Sequence, residues 1–298
     1  MKIVNIAGGL GNQMFQYAFA LMLKEHYPGE TVMVDISHYH TLMFKHFGSV
    51  NLHNGYEIDK IFVNATLPIA RPKDIRKVSH YIPNYILSRV MRRLLPKRKT
   101  EYVAPYTENF TFPSDVLTDG DRYYEGYWQC AKYYMDIKPL LRHTFAHPAP
   151  NEYNAALIEQ IKSTDSLGIH VRRGDYKNAP EFNGICTTEY YKKALEAATK
   201  DRKPTIFVFS NDIKWCRENL PVLAPGLDII FIDGNRGSNS CWDMFLMTYC
   251  RQLIIANSTF SWWGAFLNPY AQTIYAPTLW LHRDCTIEIL DPQWKTID

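Results

Sequence analysis

The chain has 298 residues, which is long enough for two domains of about 150 residues each. Hydrophobic residues make up 46% and charged residues 21%, the composition of an ordinary globular protein. A net charge of +3 is too small to indicate nucleic acid as a partner, and no run reaches the roughly 18 apolar residues that cross a membrane. Residues 1–6 predict a β-strand rather than a signal peptide, so we expect the protein in the cytoplasm.

The first half of the chain opens with a strand–helix–strand pattern. We predict a strand over residues 2–6, a glycine-rich turn, a helix over 13–27 and a second strand over 31–35. Residues 36–125 contain many prolines and no regular pattern, and we expect irregular structure there. Prolines at positions 148 and 150 mark the predicted boundary between a first domain, residues 1–148, and a second, residues 149–298.

Short apolar strands alternate with helices in the second half of the chain. The predicted strands cover residues 167–172, 205–209, 228–232, 252–256 and 273–276, and the clearest helices lie near 188–199, 240–250 and 259–267. Strands that are apolar on both faces and separated by single helices indicate a parallel sheet covered on both sides. We therefore predict an α/β protein of the GT-B-like class, with two Rossmann-like domains facing a cleft. Ligands of such sheets bind at the carboxyl ends of the strands, where the polar motifs of this sequence fall.

Two adjacent arginines, Arg172 and Arg173, follow the first strand of the second half, in the segment His170-Val171-Arg172-Arg173-Gly174-Asp175. Neighbouring guanidinium groups repel each other unless an anion lies between them, and their planar donors fit phosphate in a bidentate way. The pair therefore suits a pyrophosphate. An exposed arginine pair matched by carboxylates is the alternative, and the dipeptide alone does not decide between the two.

A glycine-rich turn, Gly8-Gly9-Leu10-Gly11-Asn12, follows the first strand of the chain. Small residues here let backbone N–H groups approach a phosphate at a helix N-terminus. Gly9 and Gly11 match the first two glycines of the G-x-G-x-x-G dinucleotide pattern, but Met14 stands in the third place. Asp35 lies where a dehydrogenase binds ribose, so this region leaves an NAD(P)-dependent oxidoreductase open as the alternative.

A third polar segment, Asn257-Ser258-Thr259-Phe260-Ser261, begins a predicted helix directly after a strand. Hydroxyl and free N–H groups at a helix start can form an anion site. Capping of the helix N-terminus is enough to explain the presence of any one of these hydroxyl groups. Because we expect all three hydroxyls to face the same place as the two arginines, the segment favours a ligand.

Taken together, four segments resemble the motif set of the α-1,2-fucosyltransferase family, glycosyltransferase family 11. They are GGLGNQMFQYA from Gly8, HVRRGDY from His170, FSND from Phe209 and NSTFSWWGA from Asn257. The one departure within them is Asn211, where the family often has aspartate. The resemblance implies an inverting transfer of L-fucose from GDP-β-L-fucose to the 2-hydroxyl of a sugar, typically a β-galactoside, with neither a metal nor another cofactor. The HxRRxD element is also similar to that of α-1,6- and protein O-fucosyltransferases, so another linkage stays open.

The resemblance also implies which residues bind the donor. Arg172, and after it Arg173, would stabilise the negative charge of the leaving diphosphate. Asn12, Ser258 and Thr259 would reach the phosphates, His170 and Asp243 would lie on the guanine side, and Gly9, Gly11, Asn257 and Phe260 complete the donor site. An acid in a first helical turn, placed there by the helix dipole, is the alternative for Asp243.

Two residues are candidates for the catalytic base. Asp175 lies just past the arginines and is the best candidate to accept the proton of the acceptor hydroxyl. It could equally be an ion-pair partner that only orients Arg172 or Arg173. His170 is the alternative base, in which case it would not face the nucleotide.

The acceptor is expected to be a glycan or a lipid-linked oligosaccharide, bound mainly by the first domain. Six positive charges between Arg89 and Lys99 are interleaved with apolar residues, which would suit contact with an anionic membrane surface. A solvated helix face is the simpler interpretation of that stretch. A non-catalytic glycan-binding module is a further alternative for the whole chain, but it leaves the arginine pair unexplained.

Overall fold

A computed structural model describes residues 1–40 and 54–298. They form two compact units, residues 1–148 with 285–289 and residues 149–284 with 290–298. The short segment 285–289 therefore lies with the first unit rather than with the second. Its Glu288 exchanges backbone hydrogen bonds with that unit, donating to the Phe110 carbonyl at 2.8 Å and accepting from the Ala131 N–H at 2.9 Å.

The first unit is built on a four-stranded parallel sheet. Its strands are β1 (Lys2–Asn5), β2 (Val32–Asp35), β3 (Glu101–Val103) and β4 (Arg122–Glu125), in the order β2-β1-β4-β3. The helix α1 (Leu10–His26) joins β1 to β2 and buries most of its residues, which gives the predicted strand–helix–strand opening. The chain places β2 on one side of β1 and β4 on the other, so β1 and β4 flank a topological switch point.

The described part of residues 36–125, which leaves out 41–53, is not irregular, contrary to the prediction. Besides β3 and β4, their described part contains the helices α2 (Ile58–Ile61), α3 (Pro72–Val78) and α4 (Tyr85–Leu94). Proline in the first turn of α3 and the Asn84 cap of α4, whose side chain accepts from the Leu87 N–H at 3.1 Å, begin these helices. The helix α5 (Lys138–Thr144) precedes the division between the units.

The second unit contains a six-stranded parallel sheet. Its strands are β5 (Ser166–Val171), β6 (Thr205–Ser210), β7 (Ile229–Ile232), β8 (Gln252–Ile254), β9 (Thr273–Pro277) and β10 (Lys295–Ile297), in the order β10-β9-β8-β5-β6-β7. The chain runs outward from β5 through β6 and β7, then returns to place β8 on the other side of β5. The carboxyl ends of β5 and β8 therefore flank the second switch point.

Helices cover both faces of this sheet, as its continuous apolar strands predict. They are α6 (Glu152–Ser163), α7 (Thr188–Thr199), α8 (Ile213–Leu223), α9 (Cys241–Met247) and α10 (Thr259–Phe266). The side chains of Leu167, Ile169 and Val171 pack with α7 and α8 in one core. Because side chains alternate along a strand, His170 points to the opposite face, where its ring lies 5.8 Å from that of Phe260.

None of the helices within residues 1–40 and 54–298 is both long and apolar enough to cross a membrane. The six cysteines are free thiols.

Candidate active site

The turn after β5 holds Arg172 in a fixed orientation. Its Nη2 donates to Asp175 Oδ2 at 2.8 Å, and its guanidinium lies 5.6 Å from the centroid of the Tyr176 ring. The other carboxylate oxygen of Asp175 accepts from Asn211 Nδ2 at 3.2 Å. Both Asp175 oxygens are therefore engaged, and the geometry matches the interpretation in which this acid orients Arg172.

Arg173 is oriented by a different set of groups. Its guanidinium lies 4.1 Å from the centroid of the Trp215 ring, a cation–π contact, and its Nε lies 3.7 Å from Asp212 Oδ2. Each arginine keeps a buried Nε–H that makes no hydrogen bond. The two guanidinium groups are thus paired with carboxylates, as the exposed-pair interpretation holds, yet each retains a buried donor that an anion could use.

Asn211 connects the two arginines, a role that the sequence analysis did not predict. Its Oδ1 accepts from the N–H groups of Arg173 at 3.0 Å and Gly174 at 3.3 Å, while its Nδ2 donates to Asp175. A carboxylate could not make that donation, so this arrangement requires the amide. A Cβ on Gly174 would lie 2.7 Å from Asn211 Nδ2, so the glycine is required by this close approach.

His170 is a neutral imidazole in this environment. It is 4% exposed, and burial together with the neighbouring Arg172 charge lowers its pKa from 6.5 to about 3. So low a pKa makes it a poor proton acceptor at neutral pH, which disfavours it as the base. Its Nδ1 is buried without a hydrogen-bond partner, as expected of a group whose partner is a ligand.

The turn after β8 is joined to the arginine turn by Tyr176, whose hydroxyl donates to the Asn257 carbonyl at 3.2 Å. The Asn257 amide is used within the protein, with Nδ2 donating to the Trp280 carbonyl at 3.1 Å. Ser258 precedes α10 without capping it through its side chain, so simple capping does not explain this hydroxyl. The prediction for Ser261 is wrong. Its hydroxyl is buried and shares its proton between the carbonyls of Ala256 and Ser258, each at 3.2 Å, so it does not face the arginines.

A cavity of about 250 Å³ opens beside these two turns, within the second unit. It is lined by cationic, aromatic and polar side chains, among them Arg172, Arg173, Lys177, Tyr176, Phe182 and Asn257. The rings of Tyr176 and Phe182 are stacked with their centroids 4.9 Å apart. Cations for a phosphate and an aromatic face for a sugar ring therefore lie around one space.

Asp243 lies in the first turn of α9, but the helix dipole does not dominate its environment. Burial raises the pKa of its carboxyl from 3.8 to about 7, opposed by one hydrogen bond from Asn235 Nδ2 to Oδ1 at 3.0 Å. Asn235 in turn exchanges two amide hydrogen bonds with Asn154, at 3.0 and 3.1 Å. This chain of amides holds the carboxyl in one orientation, and neither asparagine stands in a recognisable motif.

The glycine-rich turn of the first unit lies at the switch point between β1 and β4. Gly8 has a φ of +88°, which favours glycine, and Gly9 caps a helix that begins at Leu10, three residues earlier than predicted. The Asn12 N–H donates to the Gly9 carbonyl at 2.9 Å, and Asn12 Oδ1 accepts from Gln129 Nε2 at 2.9 Å.

Two glutamines of the same motif hold this turn in place. Gln13 donates to the carbonyl of Gly8 at 3.1 Å, and Gln16 accepts from the Ala7 N–H at 2.8 Å. Both are buried, so these side chains support the turn rather than contact a ligand.

Asp35 is not available to a ribose. Its Oδ1 accepts from the Ser37 N–H at 2.9 Å and its Oδ2 from the Tyr123 hydroxyl at 2.7 Å, and the residue is 1% exposed. The acid on which the oxidoreductase alternative depended is thus a structural group of the first sheet.

No cluster of three or more His, Cys, Asp or Glu side chains suited to a metal occurs in the described parts of the chain. Asp119-Gly120-Asp121 has the D-x-D spacing by which GT-A transferases bind metals, and it serves another purpose here. Asp121 accepts from the amino group of Met1 at 2.8 Å, and the Gly120 carbonyl accepts from Lys2 Nζ at 2.8 Å. The triplet fastens the start of β1.

Comparison with solved structures identifies the fold. The α-1,6-fucosyltransferase NodZ from Bradyrhizobium, in a crystal soaked with GDP-fucose, superposes with a TM-score of 0.52 at 16% identity, over 95% of this chain and 96% of NodZ. FUT1 of Arabidopsis thaliana in complex with GDP gives a TM-score of 0.51 at 15% identity, over 95% of this chain and 72% of that one. The predicted α/β class, GT-B-like with Rossmann-like domains, is confirmed.

Sequence relatives extend over nearly the whole chain. An α-1,2-colitosyltransferase of Escherichia coli is 31% identical over 99% of this chain and 98% of its own length. The O-antigen biosynthesis glycosyltransferase WbnK of the same species is 28% identical over 97% and 98%. A galactoside α-(1,2)-fucosyltransferase 2 of Rattus norvegicus is 25% identical over 98% and 74%.

The family model of glycosyl transferase family 11 matches residues 3–297. That range includes both sheets, the glycine-rich turn and the arginine turn. The chain belongs to glycosyltransferase family 11.

Proposed function

We propose that this glycosyltransferase moves L-fucose from GDP-β-L-fucose to the 2-hydroxyl of a β-galactoside, with inversion at the anomeric carbon. The observation that carries the proposal is the pair Arg172 and Arg173 at the switch point of the second sheet, each with a buried Nε–H that makes no hydrogen bond. The α-1,2 linkage named for several relatives, and the GDP or GDP-fucose in the crystals of structural neighbours, support the choice of linkage and donor.

The guanine base is assigned to His170 and Asp243. An ionised Asp243 can accept two parallel hydrogen bonds from guanine N1–H and N2–H₂, which adenine does not offer. Its Oδ1 already accepts from Asn235, so the carboxyl orientation is set before the base binds. The unpartnered Nδ1 of His170 supplies a further hydrogen-bonding group on the same face of the sheet.

In the proposed step, the oxygen of the acceptor hydroxyl forms a bond to the fucose anomeric carbon while the bond from that carbon to the β-phosphate oxygen breaks. The electron pair of the broken bond leaves with GDP, so negative charge grows on the β-phosphate through an oxocarbenium-like transition state. Arg172 and Arg173 stabilise that charge, which is the role a metal plays in other transferases. Ser258 and Thr259 are assigned to the phosphates as neutral donors.

The proton of the attacking hydroxyl is assigned to Asp175. Of its two oxygens, Oδ1 holds the longer hydrogen bond, 3.2 Å from Asn211, and is the one that can be released. Oδ2 stays on Arg172 at 2.8 Å. One carboxylate would then orient the principal arginine and accept the proton.

Transfer of colitose is the second candidate, because an α-1,2-colitosyltransferase matches this chain over nearly its full length. Colitose is L-fucose without its 3-hydroxyl. The two donors share the diphosphate and the anomeric chemistry, so the assigned roles apply to both.

A binding panel followed by a transfer assay tests the proposal. Thermal unfolding is measured with GDP, ADP and NAD, and we expect stabilisation by GDP above that by ADP, and none by NAD. Transfer is then followed with GDP-fucose and GDP-colitose on a β-galactoside, with the linkage read by NMR. Stabilisation by NAD alone, or a product linked elsewhere than at the 2-hydroxyl, would overturn the assignment.

Asp175→Asn tests the base separately, because an asparagine oxygen can still accept from Arg172. We expect GDP-fucose affinity to stay within a few-fold of wild type and turnover to fall by ~10²-fold or more. Turnover near the wild-type rate would eliminate Asp175 as the base and leave it as the partner of Arg172.

A further inference from the structure

The helix α4 buries polar side chains and exposes apolar ones, which is the reverse of the usual arrangement. Its buried residues are Tyr85, Ser88 and Arg92, which are polar or partly polar. Leu87 and Val90 are 47% and 43% exposed, and Leu94 is 79% exposed. Helices on the surface of a globular protein normally bury their apolar stripe, so this one is oriented by something other than apolar burial.

Polar contacts fix the buried face of α4. Arg92 is 1% exposed and its Nε donates to Glu125 Oε2 at 2.7 Å, while Arg89 Nε donates to Oε1 of the same carboxylate at 3.0 Å. Ser88 exchanges hydrogen bonds with the backbone of Ile82 at 2.9 and 3.0 Å. Rotation of the helix to bury its leucines would break a buried ion pair, which is costly.

The exposed apolar residues form one stripe. Residues 87, 90 and 94 are spaced by three and four, so their side chains follow one another along a single face. Leu95, 42% exposed, extends the stripe beyond the helix. Single exposed apolar residues are ordinary, but a continuous row of them on a fixed helix indicates a contact surface.

Positive charge lies beside this stripe. Lys97, Arg98 and Lys99 are all exposed, as is Arg93, whose side chain is 53% accessible. Lys97 and Lys99 form no ion pair with any residue in the described ranges. Of the six charges in the stretch 89–99, Arg89, Arg92 and Arg93 form ion pairs with Glu125, Arg93 at 3.7 Å. The interpretation of the stretch as a solvated helix face does not hold for Arg92, which is buried.

We propose that α4 and residues 95–99 dock on an anionic lipid bilayer, with Leu87, Val90 and Leu94 in the interfacial region and the basic residues at the headgroups. Apolar burial and attraction to anionic lipid are the two contributions that hold such helices on membranes. The surface goes beyond the transfer reaction, since it would place the enzyme where an acceptor linked to a lipid lies.

Co-sedimentation with lipid vesicles tests the proposal. The full chain is mixed with vesicles of phosphatidylcholine alone, or with phosphatidylglycerol as about a third of the lipid. We expect binding to the anionic vesicles and little to the neutral ones. The double variant Leu87→Glu with Leu94→Glu should lose ~10-fold or more of that binding. Val222→Glu is the matched control, because Val222 is 77% exposed on another helix and should leave binding unchanged.

Each variant is first checked by thermal unfolding, where these exposed positions should leave the midpoint within a few degrees of wild type. Lys97→Ala with Lys99→Ala provides a second route, which keeps the stripe and should weaken binding to anionic vesicles only. Equal binding by wild type and the double glutamate variant would overturn the proposal, as would equal binding to both vesicle types. It would also be overturned by a dimer in solution that Leu94→Glu dissociates, because the stripe would then be a surface between copies of this chain.

Discussion

Replacing Asp243 with asparagine is expected to stabilise the protein more at alkaline than at acidic pH. In the folded protein, burial raises the pKa of this carboxyl from 3.8 to about 7. The folded state therefore holds a proton between about pH 4 and about pH 7 that the unfolded chain has released. A state that binds more protons is favoured by acid, so this group makes stability fall as the pH rises through that window.

The size of the effect follows from the two pKa values. Each pKa unit corresponds to about 1.4 kcal/mol, so the whole window is worth roughly 4 kcal/mol. Between about pH 5 and about pH 8, the part that a practical experiment covers, the wild-type protein should lose about 2–3 kcal/mol of its unfolding free energy through this carboxyl. Asparagine does not titrate, so Asp243→Asn should not show that loss.

Urea unfolding of wild type and Asp243→Asn at the two pH values measures the difference. Other titrating groups contribute equally to both proteins and cancel. Glu152→Gln is the control, because Glu152 is also a first-turn helix acid but is exposed. A pH dependence equal in wild type and Asp243→Asn would refute the assignment of a raised pKa.

The same variant should lower the preference for GDP over ADP by ~10-fold or more. ADP controls for phosphate ionisation, because it carries the same diphosphate.

Three further predictions concern the arginine turn. Arg172→Lys keeps the charge but loses the planar donors, and kcat should fall by ~10²–10³ in a transfer assay, whereas a near-normal rate would exclude bidentate binding. Asn211→Asp replaces a donor to Asp175 with a second carboxylate, so turnover should fall by ~10-fold or more and recover partly at lower pH. An unchanged rate would show that this hydrogen bond does not orient the site. Gly174→Ala should cost ~1–3 kcal/mol in urea unfolding, while Gly29→Ala, whose Cβ would meet nothing within 4 Å, serves as the control.

The regular elements of the second unit could be predicted because local signals agreed there. The helix α7 has the predicted bounds, Thr188–Thr199, since Thr187 caps it and its apolar spacing is regular. The strands β5 and β6 differ from prediction by a residue at their ends. By contrast, β4 (Arg122–Glu125) is short and ends in charged residues that are recognisable as strand only beside β1. In α4 the apolar face points outward, so its pattern resembled a solvated stretch.

The residues of the candidate site likewise differ in whether a local sequence signal could predict them. Arg172, Arg173 and Asp175 stand in one short motif, and their turn could be located from the strand before it. Asn211 acts on residues 36 to 38 positions away, and Asn154 on a residue 81 positions away. Such contacts depend on strand order and leave no local pattern. Asp119-Gly120-Asp121 is the opposite case, because a recognisable metal-binding pattern has a structural use that only the position of Met1 and Lys2 explains.

In both sheets, a hydrogen bond joins the two segments that flank the switch point. The charge carried by these segments differs between the two sheets. In the first unit, the turn after β1 is tied to the segment after β4 through Asn12 and Gln129. In the second, the turn after β5 is tied to the segment after β8 through Tyr176 and Asn257. The turn after β1 carries only neutral groups, whereas the turn after β5 carries two arginines whose buried Nε–H groups make no hydrogen bond. Neutral hydrogen bonds can hold a phosphate but cannot neutralise it, so the proposed reaction assigns the developing charge to Arg172 and Arg173.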